Sequence, residues 1–428
     1  MINLKAIKLS GYGISNLTNF TEYYSLKPCE YFLYDKLKLE RGFWFSTNYN
    51  YKTLSKNKTA SFHNFINNEF SRLKKKSENS CIIVPLSSGV DSRFIVSGLK
   101  YFNVKNFKTF TYGSFNTRDF KIADQISKQI NIENKKILLN YSTAREIYKS
   151  KIFKEYLRFN DLGIASNNPG DFLAIKLLLK ENWINPKDIV INGQAGDFIS
   201  GNHIPFFLLK KNLSSMPKLI DSFLDYIISK HYNLWYENLI SKTQISIREL
   251  IKNLYFNNIT SLKKLIAAYE CFEFENRQIK WVVGQQKVYD FFNLEWTLPL
   301  WNRRLIKLFF RNVTINDKIN QKFYKDFLIK EDICSLWKNT EINPKERFKI
   351  QISIMRFLVK IAFIFIGKIK WYKFEKKFIS YFLDPIMLPA YISYKKYIST
   401  FRIPRNALSF IVKDYVRTYL NKMKQSKC

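Results

Sequence analysis

Cys81-Ile-Ile-Val-Pro-Leu-Ser-Ser-Gly-Val-Asp-Ser-Arg-Phe94 decides how this chain is read. Cys81 to Leu86 is a short apolar run suited to a strand buried on both faces. It stops in Ser87-Ser88-Gly89, small residues that let backbone N–H groups converge on an anion. From Asp91 the spacing turns helical, with Phe94, Ile95, Gly98, Leu99 and Phe102 on one face. Strand, small-residue loop and helix N-terminus, in that order, aim N–H donors and a helix dipole at one point, as phosphate binding requires. The plain alternative is a tight turn capped by Asp91 or Ser92.

Outward from this stretch, strands and helices alternate. Phe107 to Tyr112 predicts a second strand, closed by Gly113, and Asp119 to Ile130 a helix burying Ile122, Ala123 and Ile126. Lys136 to Leu139 predicts a third strand and Ile189 to Ile191 a fourth, with a helix through Phe172, Ile175 and Leu178 between them. This rhythm implies an α/β fold: a parallel sheet with helices on both faces, and ligands beyond the carboxyl ends of its strands. Residues 58–76 read as an amphipathic helix ending in Lys74-Lys75-Lys76. Three units are expected: a short β-rich piece over 1–57, the α/β domain over 58–335, and a basic, aromatic, helical extension over 336–428.

The chain has 428 residues, 46% of them hydrophobic, with 38 Phe and 26 Tyr, which excludes a disordered protein. Its formal net charge of +35 suits polyanionic substrates, nucleic acid or an anionic membrane surface. Lysine is nevertheless spread along the whole chain, and a composition rich in Lys, Asn, Ile and Phe accounts for part of the charge. Five cysteines without Cys-x-x-Cys spacing and three histidines argue against a disulfide framework or a zinc site, and for a reducing, cytoplasmic setting. The apolar run Ile361 to Gly367, between Lys360 and Lys368, is far shorter than the ~20 residues that span a bilayer. The segment around it reads as a solvated helical cap, with a peripheral membrane contact as the alternative.

A second glycine-rich turn follows the fourth strand: Asn192-Gly-Gln-Ala-Gly-Asp-Phe-Ile-Ser-Gly201. The two turns together carry a resemblance. Ser-Ser-Gly-Val-Asp-Ser resembles the Ser-Gly-Gly-x-Asp-Ser loop of the PP-loop (adenine nucleotide α-hydrolase-like) ATP pyrophosphatases, with Ser88 in place of the first glycine. Gly193 to Asp197 resembles the Gly-Glu-Gly-Ser-Asp turn of the asparagine synthetase family. The resemblance implies that ATP lies against Leu86, Ser87, Ser88, Gly89, Val90, Asp91 and Ser92, with its adenine near Thr111, Tyr112 and Gly113. Asn192 and Gly193 would close the other side, and Asp91 and Asp197 would hold Mg2+ between the phosphates.

By the same resemblance Lys322 would contact the phosphates, and Asp119 matches a family aspartate. Glu275-Asn-Arg277 would lie on the substrate side, and Glu295-Trp-Thr-Leu-Pro-Leu-Trp-Asn302 resembles the family's proline segment, with Thr297 and Asn302 as departures. Gln194 stands where the family has a glutamate that handles protons or orients the amine; a glutamine can only hydrogen-bond. Phe198 replaces the family's second glutamate. Gly11-Tyr-Gly13 and Leu26 to Tyr34 look like the tail of the family's glutaminase domain, but residue 2 is Ile and not the nucleophilic cysteine.

The implied activity is an ATP-dependent ligase that activates a small-molecule or glycan carboxylate as an acyl-adenylate. Amidation then uses ammonia, an amine, or ammonia from a separate glutaminase. Nucleic acid is not expected as a partner. A PP-loop tRNA-modifying enzyme and an inactive synthetase-like remnant are the rival readings.

Overall fold

The computed structural model describes residues 2–20, 23–35, 38–43, 57–113, 118–161, 163–209, 215–236, 241–342, 347–382, 388–400 and 402–425. In chain order it opens with helix α1 (Ile2–Ser10), the hairpin β1 (Glu30–Asp35) and β2 (Lys38–Phe43), and helix α2 (Lys58–Lys76). Then come β3 (Ile82–Pro85), α3 (Val90–Tyr101), β4 (Phe107–Gly113), α4 (Arg118–Gln129) and β5 (Asn134–Leu138). Helices α5 (Tyr141–Lys149), α6 (Lys151–Tyr156) and α7 (Phe172–Lys180) lead to β6 (Ile189–Ile191) and the short α8 (Gly196–Ile199).

The main sheet has the order β5, β4, β3, β6, then the strand Glu295–Thr297, with every neighbour parallel. Its register sets Ile82 against Phe107 on one side and Ile189 on the other. Side chains of β3 alternate between two cores, as a strand covered on both faces must. Ile82 and Val84 join Phe62 and Phe70 of α2, Phe94 of α3 and Ile126 of α4, whereas Ile83 joins Phe110, Ile147 of α5, Phe172 of α7 and Val190. The α/β expectation therefore holds. The strand Glu295–Thr297 is not predicted from sequence: three residues ahead of Pro299 show no period, and the strand exists because it pairs with β6.

Helix α2 forms as its periodicity predicts. Asn57 caps it by accepting the Ala60 N–H at 2.9 Å, and Phe62, Phe65, Ile66, Phe70 and Leu73 are its buried face. The start of the chain requires a correction. Instead of a β-rich piece, Ile2–Ser10 is helical, because Leu4, Ala6, Ile7 and Leu9 are all buried on it. Leu4 and Ile7 share a third core with the helices Met216–His231, Lys242–Tyr255, Leu262–Glu273 and Ala407–Gln425. Only the hairpin β1–β2 matches the expected strands; Trp44 and Phe45 lie outside the described residues.

The connectivity fixes where a ligand can sit. From β3 the chain steps outward to β4 and β5, then returns to place β6 on the other side of β3. Beyond the carboxyl ends of β3 and β6 the flanking connections diverge, which opens a crevice at this switch point.

Candidate nucleotide and metal site

The two small-residue turns meet at that crevice. A Cβ on Gly193 would lie 2.9 Å from both the Asp91 carbonyl carbon and the Ser92 nitrogen. One on Gly196 would lie 2.5 Å from Asp91 Oδ1 and 2.4 Å from Leu300 Cδ1. Backbone contact this close tolerates only glycine. It brings Asp91 and Asp197 together: burial, and then the charge of Asp197, push the Asp91 carboxyl up to about 8. Asp91 Oδ1 is buried with no hydrogen-bond partner. Two carboxylates, one with a buried oxygen still able to accept, fit a hard divalent cation such as Mg2+, which takes oxygen ligands and usually only one or two carboxylates. Among the described residues no group of three or more His, Cys, Asp and Glu is assembled for a metal.

The loop itself is internally satisfied. The Ser87 N–H donates to Ser92 Oγ at 3.1 Å, the Ser88 N–H to Asp119 Oδ1 at 3.0 Å, and the Gly89 N–H to Ser87 Oγ at 3.2 Å. The Ser88 hydroxyl also donates to Asp119 Oδ1. An incoming anion must displace these oxygens to reach the amides. Arg93 latches the loop from behind. Fully buried, it donates to the carbonyls of Ser88 at 3.2 Å, Leu336 at 3.2 Å and Thr340 at 2.9 Å, and also to that of Glu341. Its guanidinium lies 5.6 Å from the Trp337 ring, and burial lowers its pKa to about 10.

Several residues expected to touch nucleotide are committed to the protein. Leu86 and Val90 are core side chains, so only their backbone could face a ligand. The Thr111 hydroxyl donates to the Leu86 carbonyl at 2.8 Å and ties β4 to the loop. Gly113 ends β4, its carbonyl accepting the Leu139 N–H at 2.7 Å. The Tyr112 and Tyr289 hydroxyls both donate to the buried Asp171 carboxyl, which burial raises above the usual range. Asn192 Nδ2 lies 3.3 Å from Asp171 Oδ2 and 3.1 Å from the Tyr289 oxygen, while its Oδ1 accepts the Gln194 N–H at 3.0 Å. Gln194 Oε1 in turn accepts from Gln286 Nε2 at 2.7 Å.

Lys322 is exposed at the start of the helix Lys322–Glu331, two residues ahead of Tyr324, whose hydroxyl adjoins Asp91. Just before it Asn320 and Gln321 adopt left-handed backbones, and Gln321 Nε2 donates to Ser200 Oγ at 2.7 Å. The proline segment runs beside the second turn: the Thr297 carbonyl accepts the Asn192 N–H at 3.2 Å, and Leu300 lies against Gly196. Asn302 caps the following helix and donates to Glu69 Oε2 at 3.0 Å, and Thr297 Oγ1 is 3.4 Å from Arg72.

A charged relay that the sequence reading missed runs from Asp197 into the interior. His203 Nε2 is 2.8 Å from Asp197 Oδ2, its Nδ1 is 2.6 Å from Glu273 Oε1, and Arg277 reaches the same Glu273 oxygen at 3.2 Å. Burial opposes ionisation throughout. The Glu273 charge and the hydrogen bonds to Asp197 and Glu273 still raise His203 to about 9, and the His203 charge holds Glu273 well below its usual range. Asp197, 44% exposed, is lowered against its own burial by the His203 hydrogen bond and charge. Arg277 thus pairs with Glu273, while Glu275 accepts from the Tyr255 hydroxyl at 2.8 Å. Glu273 and Arg277 are four apart across the junction of the helix Leu262–Glu273 with a π-helical stretch, Phe274–Val282. Such stretches recur at functional sites.

The model of one protein family, asparagine synthase, matches residues 82–330. No curated protein matches the chain. Among solved structures it is similar to the NH3-dependent NAD synthetase from Campylobacter jejuni subsp. jejuni NCTC 11168 in complex with the nitrate ion, at 12% identity and a TM-score of 0.27 over 51% of this chain and 95% of that one.

Proposed function

Because the chain belongs to the asparagine synthase family, we propose that it is an ATP-dependent, amide-forming ligase that splits ATP between the α- and β-phosphates. The observation carrying this reading is the approach of Asp91 to the turn Gly193–Asp197 at the sheet's switch point, where Gly193 and Gly196 leave no room for a side chain. In the proposed reaction a substrate carboxylate attacks the α-phosphorus, and pyrophosphate leaves from the Ser87–Ser92 loop. Asp91 and Asp197 are the residues that would hold Mg2+, which when bound offsets the charge growing on the leaving group. Lys322 would supply a second positive charge toward the phosphates. The resulting acyl-adenylate is then captured by ammonia or an amine, with release of AMP.

Gln194 bears on the acceptor. It is tethered to Gln286 and has no proton to take up, so it orients rather than deprotonates. This favours a carboxylate other than free aspartate, for example a sugar carboxylate used in building a surface polysaccharide.

The test is release of pyrophosphate and AMP by purified protein with ATP, Mg2+ and ammonia across a panel of carboxylates. Stimulation by one acceptor, lost in Asp91→Asn and Asp197→Asn, is expected. Release of ADP and orthophosphate, or stimulation by tRNA in place of any carboxylate, would overturn the assignment. Efficient conversion of aspartate to asparagine would retain the ligase and reject the glycan acceptor.

A further inference from the structure

Far along the chain from the nucleotide crevice, the helix Arg347–Ala362 and the helix Lys368–Glu375 form a hairpin around the turn Phe363–Gly367. Its inner side is closed by aromatic packing. Phe363 lies 5.6 Å from Trp371 and 5.3 Å from Phe374, and Arg356 pairs with Glu375. Its outer side is apolar and uncovered: Phe357, Leu358, Ile361, Ile364, Phe365 and Ile366 are all exposed, and Phe365 at the tip is 95% exposed. Soluble surfaces rarely leave a contiguous apolar patch of this kind without a partner.

Two further features say which partner. Four of the five backbone donors from Phe363 to Gly367 are already satisfied: Phe363 to Lys360 O at 3.0 Å, Ile364 to Ile361 O at 3.0 Å, and Ile366 and Gly367 to Phe363 O at 3.2 and 3.0 Å. A turn with most of its amides paired enters the polar headgroup boundary of a bilayer at a smaller penalty than one with bare donors. The charge around it has one sign. Between Arg347 and Phe382 the sole acidic residue is Glu375, and it is paired with Arg356, while Lys360, Lys370, Lys373 and Lys377 are exposed.

We propose that this hairpin is a monotopic anchor that inserts Ile364, Phe365 and Ile366 into the interface of a bilayer rich in anionic phospholipid, with the flanking lysines on its headgroups. Apolar side chains seated below a basic collar are the arrangement by which helices lie in a membrane surface. Among the described residues no helix is long and apolar enough to cross a membrane, so the contact is with one leaflet. A second copy of the chain is the poorer occupant, because two such collars repel. Seating on a membrane would place the ligase beside lipid-linked acceptors.

The experiment is flotation of the full chain with vesicles of phosphatidylcholine, with and without phosphatidylglycerol. Binding only to the anionic vesicles is expected, falling about tenfold or more in high salt. Ile364→Asp with Phe365→Asp should lower it by about tenfold or more, and Lys360→Glu with Lys370→Glu should do the same. All these positions are exposed, and an unchanged melting temperature checks folding. A single Ile364→Trp probe should shift its emission to the blue and be quenched by brominated lipid. Failure of the native chain to float, or flotation unchanged in Ile364→Asp with Phe365→Asp, would overturn the anchor. So would a dimer in sedimentation equilibrium that the same pair of substitutions abolishes.

Discussion

The backbone N–H and the hydroxyl of Ser88 converge on a single oxygen, Oδ1 of Asp119, the N–H at 3.0 Å. A carboxylate thus stands where the loop would offer its amide to a phosphate. One of the two bonds comes from the hydroxyl that distinguishes this loop from the glycine of its family. It makes Ser88 a brake on anion binding.

Ser88→Gly removes one of the two bonds to Asp119 and leaves the amide easier to expose. Pyrophosphate affinity, measured by calorimetry, is expected to rise about threefold to tenfold, the value of one hydrogen bond. Weaker binding in the variant would mean that Asp119 shapes the loop instead of blocking it.

Ala195 occupies the left-handed region, with φ 72° and ψ −8°, where its family carries glycine. Ala195→Gly relieves the clash of the methyl group with the backbone, partly offset by greater freedom of the unfolded chain. A gain of about 0.5–1 kcal/mol is expected in denaturant unfolding. A loss would show that packing of this buried methyl outweighs the backbone.

Gly193→Ala acts in the opposite direction. Its Cβ would press against the Asp91 and Ser92 backbone at 2.9 Å, so the two turns must separate. Destabilisation of about 1–3 kcal/mol is expected, together with loss of ATP binding by equilibrium dialysis. Wild-type ATP binding in this variant would mean that the turns do not form one pocket.

Arg93→Met should cost about 2–4 kcal/mol, since the carbonyls of Ser88, Leu336, Thr340 and Glu341 lose their shared donor and the first two of these bonds are buried. Arg93→Lys should recover little of it, because an ammonium lacks the planar fork that reaches several acceptors. Urea unfolding of both variants measures the difference.

The His203–Glu273 pair predicts a pH dependence. The folded state raises His203 from 6.5 to about 9, so its contribution is complete below 6.5 and is lost as pH rises through 9. Glu273 is held well below 4.5, so its contribution is complete above 4.5 and is lost only as pH falls further. The pair therefore stabilises most between 4.5 and 6.5. Melting temperature in metal-free buffer should fall from pH 6.5 to 9 more steeply in the native protein than in His203→Gln. Parallel profiles would remove the pair from the stability account.

Legibility followed range along the chain. Strand β3, its loop and α3 could be read because a buried strand, a small-residue turn and an amphipathic helix each leave a local pattern. Helix α1 could not: its nine residues acquire a buried face only by docking on helices hundreds of residues away. The Glu273 partnership with His203 spans 70 positions, and no local signal marks it. In the Glu275-Asn-Arg277 segment, Glu275 accepts from the Tyr255 hydroxyl at 2.8 Å and Arg277 pairs with Glu273.

From sequence alone came the α/β order and the two glycine-rich turns that carry Asp91 and Asp197, because each depends on neighbours a few positions away. Only the tertiary structure decided that the turns touch, that Asp119 fills the Ser88 amide, that Arg93 latches the loop, and that Thr111, Tyr112 and Asn192 serve the protein before any ligand. These facts rest on how the sheet's strand order folds distant segments onto one crevice. A polar group's partner there is set by proximity in space, which no single segment encodes.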